Sequence, residues 1–268
     1  MRRLLVILCF VTLSSFFWLD PLSIEQNTQL ALQGPSKYFL LGTDSLGRSY
    51  ALRLIVGVRT SLVIVGMATL ISLIVSLVMA QKLSQQNSWS REFLSRAVDI
   101  LQGIPNLLLV LLFMALFDSN SIFVLAGLMG IFNWSGMARL FEAELMKLKS
   151  EPFIEASRSL GASSRQIFWT HGWPYLKSTL VLALLVHIPG QILFESSLSF
   201  LGFGVQPPNT SLGSLISEAW PHLSSSPHLL LFPGLLLFCF SLGVRNSQFS
   251  SRDQTLNLKN KTSPSLTW

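Results

Sequence analysis

The sequence predicts an all-α membrane protein: six transmembrane helices with a cytoplasmic loop of short helices between spans four and five. Three observations carry that prediction. Half of the 268 residues are hydrophobic and only 12% are charged, with a mean hydropathy of +0.52. A soluble domain of this length carries about twice that charged fraction. Six apolar runs alternate with polar stretches, and the basic residues fall almost entirely on one side of the resulting topology.

The first run, 4–19, follows Arg2 and Arg3. It lacks a small-residue cleavage site before Asp20-Pro21, so residues 1–19 read as an uncleaved signal anchor. Residues 20–59 read as a periplasmic segment. The run 60–80 has no charge and is long enough to span. Within it Ala68, Ser72, Ser76 and Ala80 recur every four residues, a small-residue stripe that lets a neighbouring helix approach closely in lipid. The remaining runs are 98–117, 121–138, 176–203 and 228–244. Residues 60–244 thus form a five-span core interrupted by the loop 139–175, and 245–268 form a polar cytoplasmic tail. Cys9 and Cys239 sit in apolar runs near opposite ends and read as unpaired thiols acting as small hydrophobes.

With the N-terminus in the cytoplasm, only Lys37, Arg48, Arg53 and Arg59 of the 19 basic residues lie outside. The other fifteen are cytoplasmic, as the positive-inside rule requires. The net charge of +6 is therefore topological, and nucleic acid is not needed to explain it.

The loop contains EASRSLGASSRQIFWTHGWP, residues 155–174. Ser150 is a candidate N-cap, Glu151 suits the positive end of a helix, and Pro152 is tolerated in a first turn. The first stub runs to Leu160, where Gly161 supplies the left-handed position that ends it. Ser163 or Ser164 caps a second stub through Ile167 and Phe168, closed by Gly172 and Pro174. Stubs this short are unstable alone in water, so something must bury Phe153, Leu160, Ile167 or Phe168. Two readings of the residues stay open: an amphipathic elbow on lipid headgroups, or a helix presented to a groove on a soluble partner.

Glu155-Ala156, Gly161 and Pro174 stand at the spacing of the EAA loop of bacterial ABC importer permeases, which the segment resembles. Ser157, His171 and Trp173 depart from that pattern. LGTDSLGRSYALRLIVGVRTSL (41–62) is similar to a segment of the dipeptide/oligopeptide/nickel permease subfamily. The match there includes Gly42, Thr43, Asp44, Gly47, Arg48, Arg53, Gly57, Arg59, Ser61 and Leu62, with Ser49 in place of the usual Asp. ESSLSFLGFGVQPPNTSLG (195–213) resembles the same subfamily through Glu195, Gly202, Gly204, Pro207 and Pro208, with Leu212 replacing a Trp. The resemblance covers about 20–240, and the tail departs from it.

The resemblance implies a multi-pass permease of the bacterial inner membrane with both termini cytoplasmic. Its expected partners are a second homologous permease, two ABC ATPase subunits, a periplasmic or surface solute-binding protein, and membrane lipid. Peptides are the implied substrate, with nickel or another small solute as the alternative, and a membrane scaffold without transport as a third reading. No glycine is followed by lysine, so the chain carries no phosphate-binding loop and ATP hydrolysis falls to other subunits. With histidines only at 171, 187, 222 and 228, and neither HExxH nor GxSxG, no catalytic constellation, cofactor or metal site is expected. Glu195 and His187 lie within the fifth run, separated by an expected break at Pro189-Gly190. Glu195 is assigned to helix packing near the pore mouth and His187 to a satisfied interior position. Asn106 and Asn133 are expected to hydrogen-bond between helices.

Overall fold

A computed structural model describes residues 26–85, 89–117 and 121–240. The run 4–19 and the tail 245–268 lie outside the described residues. Among those described there are helices and no strands, apart from one isolated antiparallel bridge between Thr43 and Ser49.

The first long helix, α1 (Tyr50–Leu83), is 34 residues, about 51 Å at 1.5 Å per residue. It begins ten residues before the apolar run does. The segment expected outside the membrane therefore contributes its last turns to this helix, which exceeds the roughly 30 Å hydrocarbon thickness. Its small-residue stripe is fully buried: Ala68, Ser72, Ser76 and Ala80 have no exposed surface.

The run 98–117 does not form one straight helix. It divides into α2 (Trp89–Gly103) and α3 (Asn106–Phe117), and their spanning parts meet at 85°. The break falls at Ile104-Pro105, where proline both lacks an N–H and disfavours helical geometry in the residue before it. The run 121–138 likewise bends by 41° between α4 (Ile122–Phe132) and α5 (Ser135–Lys149). Helix α5 continues well into the expected loop.

Two stubs follow, α6 (Pro152–Ser159) and α7 (Ser164–Ile167). Gly172 and Pro174 do not close the second stub. The chain instead passes through one π-helical turn, Phe168–Gly172, directly into α8 (Trp173–Phe200). Trp173 N–H bonds five residues back to the Phe168 carbonyl, and Pro174 sits in the first turn of α8, where its missing N–H is tolerated. Nor does the helix break at Pro189-Gly190, since α8 carries Pro189 in its interior. A proline inside a span is accommodated when neighbouring groups satisfy the carbonyl it frees. Short α9 (Leu212–Ala219) and apolar α10 (His228–Phe240) complete the described chain.

Helix α1 is the central post, packed against α4, α5 and α8. Ile64 and Ala68 of α1 meet Met114 of α3, Leu125 and Met129 of α4, and Leu198 of α8 in the largest apolar cluster. The α1–α4 contact is a backbone approach: Ser72 Oγ donates to the Gly130 carbonyl at 2.9 Å. A Cβ on Gly130 would lie 2.6 Å from Ile71 Cβ. Among the described residues two helices, α1 and the 179–200 part of α8, are long and apolar enough to cross a membrane, and the count rises to four if each bent pair is one span.

Candidate functional site

The two stubs sit at the C-terminal end of α1. Ile154 of α6 and Ile167 of α7 are buried together against Leu148 of α5, with Ala162 and Tyr175 packed around them. Burial pushes the Tyr175 phenol above its ordinary value and the Glu144 carboxylate adds to the shift, so it stays a neutral donor beside α5. Lys149 Nζ donates to the Ser84 carbonyl at 2.6 Å and to Ser84 Oγ at 3.0 Å, and Arg91 Nε donates to the Leu83 carbonyl at 2.8 Å. These cations satisfy the open carbonyls at the end of α1 and complement its dipole.

Within the loop, Glu151 rather than Ser150 is the N-cap of α6, because Ser150 already ends α5 with its N–H on the Lys147 carbonyl. Glu155 and Ala156 are both exposed on α6, and Glu155 lies in its first turn, where a negative charge is favoured. Gly161 has φ +86°. Its N–H bonds the Arg158 carbonyl at 2.9 Å, and Ala162 N–H bonds the Ser157 carbonyl at 3.1 Å. That paired arrangement is a complete Schellman stop. No heavy atom lies within 4 Å of a Cβ built on Gly161, so the demand for glycine there is conformational and not steric. Ser163, not Ser164, caps α7, accepting from Gln166 N–H at 3.2 Å.

The sequence expected burial for Phe153, Leu160, Ile167 or Phe168. Ile167 is buried, but Leu160 is 89% exposed and Phe153 49%. The residue that anchors the first stub is Ile154, which sequence reasoning passed over. Its signal was a single aliphatic between Phe153 and Glu155, too little to mark a buried face. Beside Gly161 lies a shallow concavity of about 290 Å³ lined by Ser157, Leu160, Gln166 and His171 among others. Thus the loop is held firmly to α5 and α8 while its tip offers apolar surface outward.

The opposite end of α1 gathers the two remaining motifs. Asp44 Oδ1 accepts from the backbone N–H groups of Leu46 and Arg48, both at 2.9 Å, closing a tight turn. Its Oδ2 accepts from Arg48 Nε at 2.7 Å and Arg53 Nη1 at 2.8 Å. Arg53 reaches further, to both carboxylate oxygens of Glu218 and to Thr210 Oγ1 at 3.0 Å. Thr43 Oγ1 donates to the Leu30 carbonyl and accepts from Gln33 N–H. A Cβ on Gly42 or Gly47 would fall 2.4 Å from the Gln33 carbonyl oxygen or 1.7 Å from the Asn27 carbonyl oxygen. Glu218 and Thr210 were not foreseen, since nothing local in sequence ties them to residue 53.

Glu195 is fully buried on α8, accepting from Ser61 Oγ at 2.9 Å and Ser199 Oγ at 2.7 Å. Ser61 Oγ in turn accepts from Leu212 N–H at 3.1 Å, so this carboxylate ties α1, α8 and the start of α9 together. Gly202 ends α8 with φ +87°. A Cβ on Gly204 would strike Ser199 Oγ at 1.8 Å, and the Pro207–Pro208 peptide is cis in the return loop to α9. Asn106 and Asn133 bond to each other at 2.9 Å, bridging α3 and the end of α4.

Comparison with known proteins gives this arrangement its context. Residues 48–248 match the family described as binding-protein-dependent transport system inner membrane component. The chain is 32% identical over 251 residues to the oligopeptide transport system permease protein OppC of Haemophilus influenzae, covering 90% of this chain and 80% of that one. It is 34% identical over 224 residues to the dipeptide transport system permease protein DppC of Lactococcus lactis, covering 83% and 65%. Its fold is similar to a chain of the inward-facing MetNI methionine ABC transporter, with a TM-score of 0.58 at 16% identity over 75% of this chain and 97% of that one. A family match over most of the length, joined to a helical structure with apolar spans, makes this a transport subunit rather than an enzyme. The chain belongs to the family of binding-protein-dependent transport system inner membrane components.

Proposed function

We propose that the chain is one half of the permease of an ATP-driven importer of di- or oligopeptides. It has six spans and both termini in the cytoplasm. The other half is a second homologous permease, two ABC ATPases dock at the loop 139–175, and a solute-binding protein delivers the peptide at the opposite face. Spans two to six correspond to α1, the pair α2–α3, the pair α4–α5, α8 and α10, and the run 4–19 is the first. The names of the relatives favour peptides over nickel.

The observation that carries the proposal is the loop itself. Its stubs are anchored by Ile154 and Ile167 and run through a π-turn into α8, yet Leu160 stands almost bare at the tip. Such a surface fits a groove on a soluble partner, and a partner that pushes it moves α8. In this reading Glu155, Ala156, Gly161 and Pro174 form the coupling element. Gly42, Thr43, Asp44, Gly47 and Arg48 fix the outer entry to α1, and Glu195, Gly202, Gly204, Pro207 and Pro208 fix the outer exit from α8. Two of the four basic residues placed outside, Arg48 and Arg53, are ion-paired with Asp44 and Glu218.

The test is reconstitution in proteoliposomes with the second permease, the ATPases and the binding protein. ATP hydrolysis should rise when peptide-loaded binding protein is added, and labelled peptide should accumulate. Hydrolysis by the isolated chain, or none stimulated by any peptide-loaded binding protein, would refute it.

A further inference from the structure

Four polar side chains form a line across the middle of the bundle. Asn106 Nδ2 donates to Asn133 Oδ1 at 2.9 Å, Asn133 Nδ2 donates to Gln191 Oε1 at 3.4 Å, and Gln191 Nε2 meets His187 Nε2 at 2.9 Å. The first two stand at the two helix breaks: Asn106 opens α3 just after Pro105, and Asn133 ends α4 at the 41° bend. His187 and Gln191 straddle the midpoint of the spanning stretch Thr179–Phe200. The line ends at a concavity of about 300 Å³ lined by Asn133, Val186, His187, Gly190, Gln191 and Phe194. That concavity opens at the surface of the chain, where Val186 is 64% exposed.

The direction of the line has a chemical consequence. Asn106 and Asn133 each donate to the next residue's amide oxygen, which leaves the Gln191 NH₂ facing His187, so Nε2 must accept. Neutral His187 then carries its proton on Nδ1, a donor left for another partner. Polar and ionisable groups at this depth face a bundle interior or a water-filled cavity and not lipid. In secondary transporters, broken helices that gather polar groups near the membrane midplane are where solute is held, and the same physical requirement applies here.

We propose that this face of α8, with His187, Gln191 and Asn133 behind Val186 and Gly190, lines the translocation pathway and hydrogen-bonds the passing solute. The inference rests on the permease reading above and adds to it the contact site and its chemistry: a solute rich in carbonyl or carboxylate acceptors, as a short peptide is. Gly190 leaves the notch open, since no heavy atom lies within 4 Å of a Cβ built there.

The experiment uses the full complex in proteoliposomes, with Cys9 and Cys239 replaced by Ser and Val186→Cys introduced. Leu182→Cys, one turn away, serves if that variant fails to assemble. A small charged thiol reagent should modify the cysteine during turnover, and saturating peptide-loaded binding protein should slow modification several-fold. In parallel, His187→Leu, which removes the free Nδ1 donor, should raise the peptide concentration for half-maximal uptake roughly tenfold, the effect of losing one buried hydrogen bond. A cysteine inert under all conditions places this face against lipid or the second permease and overturns the inference, as does modification that peptide does not slow. Both results leave the permease reading intact when the complex still shows peptide-stimulated hydrolysis. Absence of that stimulation overturns both.

Discussion

Arg53 and Glu218 are 165 residues apart in sequence, yet the Arg53 guanidinium binds both Glu218 carboxylate oxygens, at 2.5 and 2.9 Å. The same Nη1 also reaches Asp44, so one cation fastens the turn before α1 to the end of α9. Arg53 and Asp44 are buried, which makes the cluster costly to break from one side.

Arg53→Met should therefore destabilise the complex by about 1–3 kcal/mol, since it removes the buried hydrogen bonds to Asp44 and Thr210 while Arg48 still pairs with Asp44. Glu218→Gln should cost less, because Glu218 is partly exposed and Asp44 still pairs with Arg53. Thermal unfolding of the detergent-solubilised complex, read alongside membrane abundance, measures both. Equal effects of the two substitutions would show that the Asp44 contact is not the dominant one.

The α1–α4 contact offers a second measurement. Gly130→Val places side-chain atoms where Ile71 and the Ala68 carbonyl already stand, at 2.6 and 3.0 Å from the first added carbon. Overpacking of this kind costs about 1–3 kcal/mol. The melting temperature should fall, whereas Gly127→Val, one turn earlier and with open space around it, should change little.

Those examples show what sequence alone could supply. The stripe of Ala68, Ser72, Ser76 and Ala80 is legible because a period of four belongs to one helix, and the stop at Gly161 because a Schellman turn is local. Partnerships such as Arg53 with Glu218 have no local signature. Proline misleads in both directions. Hydropathy runs straight across Pro105, where the chain turns by 85°, while Pro189-Gly190 reads as a break inside a helix that continues. Pro174 reads as a terminator but begins a helix, because a π-turn feeds into it. In each case the outcome depends on whether packing and neighbouring groups satisfy the carbonyls that proline frees, which composition does not record.

Orientation rests on the basic residues, and it is open to direct test. Lys37 and Arg158 are both exposed and sit near opposite ends of α1. In the Cys9 and Cys239 to Ser background, Lys37→Cys should react with an impermeant thiol reagent once the outer membrane is permeabilised. Arg158→Cys should react only after the inner membrane is opened. The reverse pattern would invert the topology and remove the loop from the ATPase side.

The most direct test of the coupling role is Gly161→Val, followed by the ratio of peptide uptake to ATP hydrolysis in the reconstituted complex. A β-branched residue at φ +86° carries about 1–2 kcal/mol of strain, and with open space around it that strain can be relieved only by re-aiming α7 against α6. Protein level and membrane insertion should stay near wild type, since Ile154 and Ile167 still anchor the loop. Uptake per ATP hydrolysed should fall several-fold, or the ATPases should dock weakly. Wild-type uptake and coupling at normal abundance would contradict the account and favour an elbow that merely lies on lipid.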